Sequence, residues 1–403
     1  MNDSLKKRLN FFLEILHLFL TCFVIGIVGG LFGSLFHYLL DFAGDLRTAN
    51  SWLIFLLPVG GIIIALLFKK ANIGEYFNTE KVYHDAKKSE KVSFWLAPVI
   101  YLASFITHLF GGSAGREGAS IAIGGSIGSD FSRLLKHPNE KRYMFIIAGM
   151  SAAFGGILAI PITAAVFGVE STILYRKKGF KRTVYAFICS AISSFVGYLM
   201  ALLLKVEPLN YGKHDLSYID FKTVLFVIVL ILMTSAVSII FKLIIQNFRH
   251  FYNKINNFYL RIFSGGVFVV CITLLISTQK YSGAGGNLIF DSFFGTAESY
   301  DFILKLILTA FTMGCGFCGG EMIPTMAIGA SFGFACSLFL PLPLEIAVCV
   351  SLITAFSTFM KSPLSGFVLA FEIFGFSGWH YYLIVLLSAL TYTLLISKFK
   401  KTA

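Results

Sequence analysis

Charge is scarce in this sequence. Only 13% of the 403 residues are Asp, Glu, Lys or Arg, and the acids number 21. No basic soluble domain exists among them, which excludes a nucleic-acid binder despite a net charge of +12. A small-residue cleavage site is also missing after Lys6, Lys7 and Arg8 and the apolar run behind them. The N-terminus therefore reads as a retained first segment rather than a signal peptide. No nucleophile–base pair and no metal cluster stand at membrane depth, so an enzyme finds no support and neither metal nor cofactor is implied. The seven cysteines lie mostly in apolar runs and read as small packing residues. Cys315 and Cys318 form one Cys-x-x-Cys, but a zinc site would need two more ligands nearby.

Apolar residues, by contrast, are abundant: 57% of the chain, with 44 phenylalanines. The mean hydropathy is +0.79. Such a composition suits an all-α polytopic membrane protein with spans of about 20 residues. A β-barrel would show short alternating segments, and these segments do not alternate. Apolar runs cover 11–40, 52–68, 94–110, 121–135, 144–175, 183–204, 224–245, 262–277 and 304–397. Pro161 breaks the fifth, and Pro324, Pro341, Pro343, Pro363 and Gly378 break the last. The basic stretches (the N-terminus, 176–182, 249–261 and the tail) predict both termini in the cytoplasm. The segment 205–222 is polar and mixed in charge. It is the natural link between halves at 11–204 and 222–397 of a single transmembrane domain, with no soluble regulatory domain.

One stretch stands out: Gly111-Gly112-Ser113-Ala114-Gly115-Arg116-Glu117-Gly118. It lies between two apolar runs, so an Arg and a Glu sit among glycines at membrane depth. Ionisable groups there are costly and mark ion paths. A helix restarting near Glu117 would aim its amides, and the positive end of its dipole, at an anion. The stretch predicts an anion site with a carboxylate placed to compete for it.

The chain also repeats itself. Ala122-Ile-Gly-Gly-Ser-Ile-Gly128 matches Ala327-Ile-Gly-Ala-Ser-Phe-Gly333 at an offset of 205. Ala153-Phe154, Pro161 and Glu170 match Ala355-Phe356, Pro363 and Glu372 at an offset of 202. Gly115-Arg116-Glu117 then falls on Gly320-Glu321-Met322. Paired halves with helices broken at matching positions point to a transporter whose site forms where the broken helices meet.

At these residues the chain resembles the CLC family of chloride channels and chloride/proton antiporters. Gly115-Arg116-Glu117-Gly118 matches the family's Gly-(Lys/Arg)-Glu-Gly-Pro, with Ala119 for the proline. Gly320-Glu321-Met322-Ile323-Pro324 loosely matches Gly-x-Phe-x-Pro, and Gly285-Gly286-Asn287-Leu288 resembles a further element. The resemblance runs from about 20 to about 397. It implies an inverted repeat, a homodimer with one pore per subunit, and Glu117 as the gating glutamate. The first anion motif, Gly-Ser-Gly-Ile-Pro, has as its nearest match Gly74-Glu75-Tyr76-Phe77-Asn78. The Glu-Glu pair of proton-coupled chloride members reads Glu170-Ser171 here. Thr107-His108-Leu109-Phe110-Gly111-Gly112-Ser113, and Gly319-Gly320-Glu321 before Pro324, look like the bacterial fluoride-exporting branch. In that branch a glutamate in the Glu321 position takes part in proton coupling. A threonine expected there is Ile323, and the family's terminal tyrosine has only Tyr392, inside the last span, as a substitute.

These readings converge on a secondary transporter of a bacterial plasma membrane, embedded in lipid and working as a homodimer. It would exchange fluoride for protons; the alternatives are a chloride/proton antiporter and a passive, Glu117-gated chloride channel. Glu117 is the gating and proton glutamate. Deprotonated it takes the anion's place; protonated it swings away with a proton. Pairing with adjacent Arg116 is disfavoured because neighbours on a helix diverge. Glu321 is either a second proton carrier or a helix cap. Glu170 and Glu372 read as structural. The backbones of Gly115, Gly118, Gly320, Met322 and Ile323 are the expected anion donors, with Arg116 attracting from a distance and facing solvent or a loop carbonyl. Gly74, Tyr76 and Phe77 would line the inner path, where ring edges can touch a small anion. His108 reads as a packing histidine.

Overall fold

The structure is a computed structural model that describes residues 3–74, 79–174 and 179–402, apart from 213, 215 and 218. Among these residues sixteen α-helices follow one another and no strand forms. They are α1 (Asp3–Ala49), α2 (Leu57–Ala71), α3 (Thr79–Lys88), α4 (Leu96–Leu109), α5 (Glu117–Leu134), α6 (Arg142–Leu158), α7 (Pro161–Val169) and α8 (Phe180–Leu203). Then come α9 (Phe221–Asn253), α10 (Phe258–Ile276), α11 (Gly286–Phe294), α12 (Asp301–Cys315), α13 (Met322–Ser337), α14 (Leu344–Met360), α15 (Pro363–Phe374) and α16 (Trp379–Thr402).

The punctuation read from the sequence recurs as helix ends. Pro161 and Pro363 occupy the first turns of α7 and α15, where a missing N–H costs nothing. Pro324 lies in the first turn of α13 and does not interrupt it. The repeat is visible in the element starts. Helices α4 and α12 start 205 residues apart (96 and 301), as do α5 and α13 (117 and 322). The starts of α6 and α14 (142 and 344), and of α7 and α15 (161 and 363), are 202 apart.

Five helical stretches are long and apolar enough to cross a membrane: Lys7–Ala49, Ser51–Ala71, Phe180–Leu203, Phe221–Asn253 and Phe258–Ile276. Shorter apolar helices include α4, α13, α14 and α15. Many large apolar side chains on them point outward, Phe195 and Leu232 among them. That pattern suits a solvent of hydrocarbon.

The chain forms two compact units that interleave along the sequence. The first holds 1–37, 78–97 and 120–208. Its interior is built on small residues. A Cβ at Gly30 would lie 2.5 Å from the Cα of Gly197, and one at Gly124 would meet the Gly149 backbone. Such close backbone approach replaces the hydrophobic driving force that lipid does not supply. Ser151 and Ser190 share a 2.6 Å hydrogen bond, and Ser190 donates on to the Ala165 carbonyl.

The second unit holds 38–77, 98–119 and 209–403. One of its cores gathers Phe241 and Ile245 of α9, Leu306 and Ala310 of α12, Ile328 of α13 and Phe359 of α14. The Phe241 and Phe359 rings lie 5.1 Å apart. Every residue of the Gly111–Gly118 stretch, and its partner stretch around Gly320, falls within this unit.

Candidate anion and proton site

The site grows from two interrupted helices. Helix α4 ends at Leu109, and Gly112 N donates back to the Thr107 carbonyl at 2.8 Å. The chain then runs extended to Glu117, the first residue of α5. In the partner stretch α12 ends at Cys315 and α13 begins at Met322. The two extended pieces pair as a single antiparallel bridge: Gly115 N donates to Gly320 O at 2.7 Å and Gly320 N to Gly115 O at 2.5 Å. Only glycine permits this. A Cβ at Gly115 would sit 2.5 Å from Glu117 Oε2, and one at Gly320 would sit 2.7 Å from Gly118 N.

Glu117 is wholly buried. Its Oε2 accepts the Ile323 amide at 3.3 Å, an N–H of the first turn of α13. Its other oxygen, Oε1, has no hydrogen-bond partner among the described residues. A buried, half-satisfied carboxylate on a helix-start amide makes a contact of the kind that a small hard anion can make.

The remaining expected residues divide clearly. Gly115, Gly118, Gly320, Met322 and Ile323 come together around Glu117, all of them buried. Because Ile323 acts through its backbone, the threonine expected at that place is not needed for this contact. Arg116, expected to face solvent or a loop carbonyl, instead pairs with Asp41 Oδ1 of α1 at 2.7 Å. Glu321 stands at the N-cap position of α13, but its side chain makes no cap bond. The cap alternative therefore loses its support. His108 is buried, with Nδ1 2.8 Å from the Ser104 carbonyl, and Nε2 has no partner among the described residues. Gly74 follows α2, while Tyr76 and Phe77 lie outside the described residues. Cys315 and Cys318 are free and buried, as packing residues would be. In the last helix Tyr392 is half-buried, whereas Tyr381 and Tyr382 are fully buried.

One residue escaped the sequence reading. Lys305 of α12 is completely buried, and its Nζ donates to Ser113 Oγ at 3.0 Å, Tyr281 O at 3.1 Å and Gly283 O at 2.6 Å. The signal was present, because Lys305 is a lone cation just inside an apolar run and such residues are rarely idle. It was absorbed into the run 304–397.

Broken helices, a bridge of glycines and a buried acid on helix-start amides define an integral membrane protein of the ion-transporting, broken-helix class. The family model for the voltage gated chloride channel matches residues 77–395, and the chain belongs to that family. A chloride/fluoride channel protein of Pseudomonas syringae pv. tomato is 26% identical over 363 residues, covering 87% of this chain and 78% of the relative. An H(+)/Cl(-) exchange transporter, ClcA of Citrobacter koseri, is 24% identical over 397 residues, covering 89% and 81%. Among solved structures, a CLC-type fluoride/proton antiporter superposes with a TM-score of 0.88 at 27% identity, covering 94% of this chain and 95% of that one.

Proposed function

We propose that the protein exchanges fluoride for protons and so exports fluoride, with Glu117 as the group that alternates with the anion. The observation that carries this is the Glu117 carboxylate accepting the Ile323 amide while its second oxygen stays unpartnered and buried. Ionised, the carboxylate holds the amides that a dehydrated anion needs. Protonated, it loses its claim on them and leaves with a proton, and fluoride enters. Glu321, next to those amides, is the second proton carrier. Gly118, Met322 and Ile323 supply the anion's donors, Gly115 and Gly320, whose amides donate to each other's carbonyls, hold the bridge instead, and Arg116, paired with Asp41, acts from a distance.

Fluoride is favoured over chloride by the Gly319-Gly320-Glu321 sequence, by the relative named for fluoride and by the superposition on a fluoride/proton antiporter. The ClcA relative keeps chloride exchange as the alternative. The repeat in the helix starts supports halves at 11–204 and 222–397 within one transmembrane domain. The protein sits in a bacterial plasma membrane as a homodimer, with both termini in the cytoplasm. It catalyses movement rather than a covalent reaction.

Proteoliposomes loaded with fluoride test the reading. Fluoride efflux is expected to drive protons inward against their gradient, and chloride loaded in its place to drive far less. Fluoride efflux without proton movement would leave a channel, and equal coupling to chloride would shift the substrate.

A further inference from the structure

We propose that Lys305 is a positioning residue for the exchange: it clamps the turn that delivers Glu117 and places an ammonium beside the helix whose amide the carboxylate and the anion compete for. The inference rests on the exchange reading above.

A fully buried ammonium is costly unless its donors are used. Lys305 uses all three, on acceptors from two separate turns. Ser113 Oγ belongs to the stretch that ends in Glu117 four residues later, and is itself held by Thr309 Oγ1 at 2.9 Å. The Ser113 amide donates to Thr312 Oγ1 at 3.1 Å, so α12 grips this turn at three points. The carbonyls of Tyr281 and Gly283 belong to the turn before α11, and Gly283 N donates to Gly112 O at 3.0 Å. The lysine thus ties both turns to α12. A Cβ at Gly285 would stand 3.2 Å from Nζ and 3.1 Å from the Ala327 Cβ of α13, which places the charge beside the helix whose amides hold Glu117.

Lys305 shares the field at Glu117 with its neighbours. Arg116 pairs with Asp41 and also acts on the Glu117 carboxylate. Arg47 of α1 donates to the His108 carbonyl on α4 and lies against the Gly283 turn. Asp301, also buried on α12, is taken by the Tyr281 hydroxyl at 2.6 Å, by Lys280 at 2.8 Å and by the Glu298 amide at 2.9 Å, with Asp291 closing on Lys280. Tyr211 also senses Glu117. Of these groups, the charges acting on Lys305 are Arg47 and Glu117.

The test is the pH profile of fluoride/proton exchange in proteoliposomes. Removing a nearby positive charge makes a carboxylate keep its proton to higher pH. Lys305→Gln is expected to move the midpoint of the profile upward by about one pH unit, and Lys305→Arg to return it. Lys305→Met, which keeps the aliphatic length, replaces the Gln variant should that not fold. In a Glu117→Gln background, which lacks the exchanging acid and is read by fluoride binding across pH, the same substitution is expected to shift nothing. A midpoint unmoved in both neutral variants, with flux lowered equally at every pH, would make Lys305 a structural strut and overturn the proposal. Wild-type fluoride flux without proton movement would overturn the exchange reading and this proposal together, and is distinguished by needing no variant.

Discussion

A carboxylate that has lost its water needs replacements for it. Glu117 finds a donor in the Ile323 amide on one oxygen and keeps the other unfilled. The glycines around it keep the pocket that tight. Gly320→Ala would press a methyl to within 2.7–2.9 Å of the Gly118 and Glu117 amides and the Glu117 carboxylate. Overpacking of that kind costs about 1–3 kcal/mol, so fluoride flux should fall about tenfold or more; flux equal to wild type in a folded Gly320→Ala protein would show that the bridge is not part of the path. The acids nearby differ in standing. Glu321 directly precedes the helix whose amide Glu117 holds, while Glu170 is buried in the turn after α7. Glu321→Gln should therefore lower the proton-to-fluoride ratio more than Glu170→Gln, measured by paired proton and fluoride electrodes. The reverse order would exchange their roles.

The elements carry the site because the chain interrupts them in pairs. Helices α4 and α12 stop, α5 and α13 start, and the spacing between the members of each pair is the same. This much was legible beforehand: the repeated Ala-Ile-Gly segments, the matching prolines and the Gly-Arg-Glu-Gly stretch gave the helix starts, because glycine and proline act locally. Three things were not legible. The Arg116–Asp41 pair joins residues 75 apart, and no periodicity announces it. Helix α3, a polar helix in the linker 69–91, lacks the apolar rhythm of a span. The partners of Lys305 come from turns far away in sequence. Packing between elements is likewise a long-range matter. Phe359 of α14 meets Phe241 of α9 in the core shared with α12 and α13. Phe359→Ala should cost about 3–5 kcal/mol and lower the thermal unfolding midpoint in detergent. An unchanged midpoint would mean that this core does not hold α13 in place.

At the scale of the whole chain, the protein has the charge and apolar surface of an ion transporter in a bilayer. The proposed homodimer predicts a protein mass in mild detergent, corrected for bound detergent, of about twice 44.5 kDa; a single-chain mass would overturn it. The claim beneath all of this is that one acid and one anion take turns at the same amides. Fluoride binding to purified protein, titrated across pH, examines that exchange without transport. In the wild type, affinity should fall as pH rises, because the ionised Glu117 competes for the Ile323 amide. In Glu117→Gln, which mimics the protonated side chain, the affinity should be high and flat across the same range. The same pH dependence in both proteins would mean that fluoride binds elsewhere, and the account would fail.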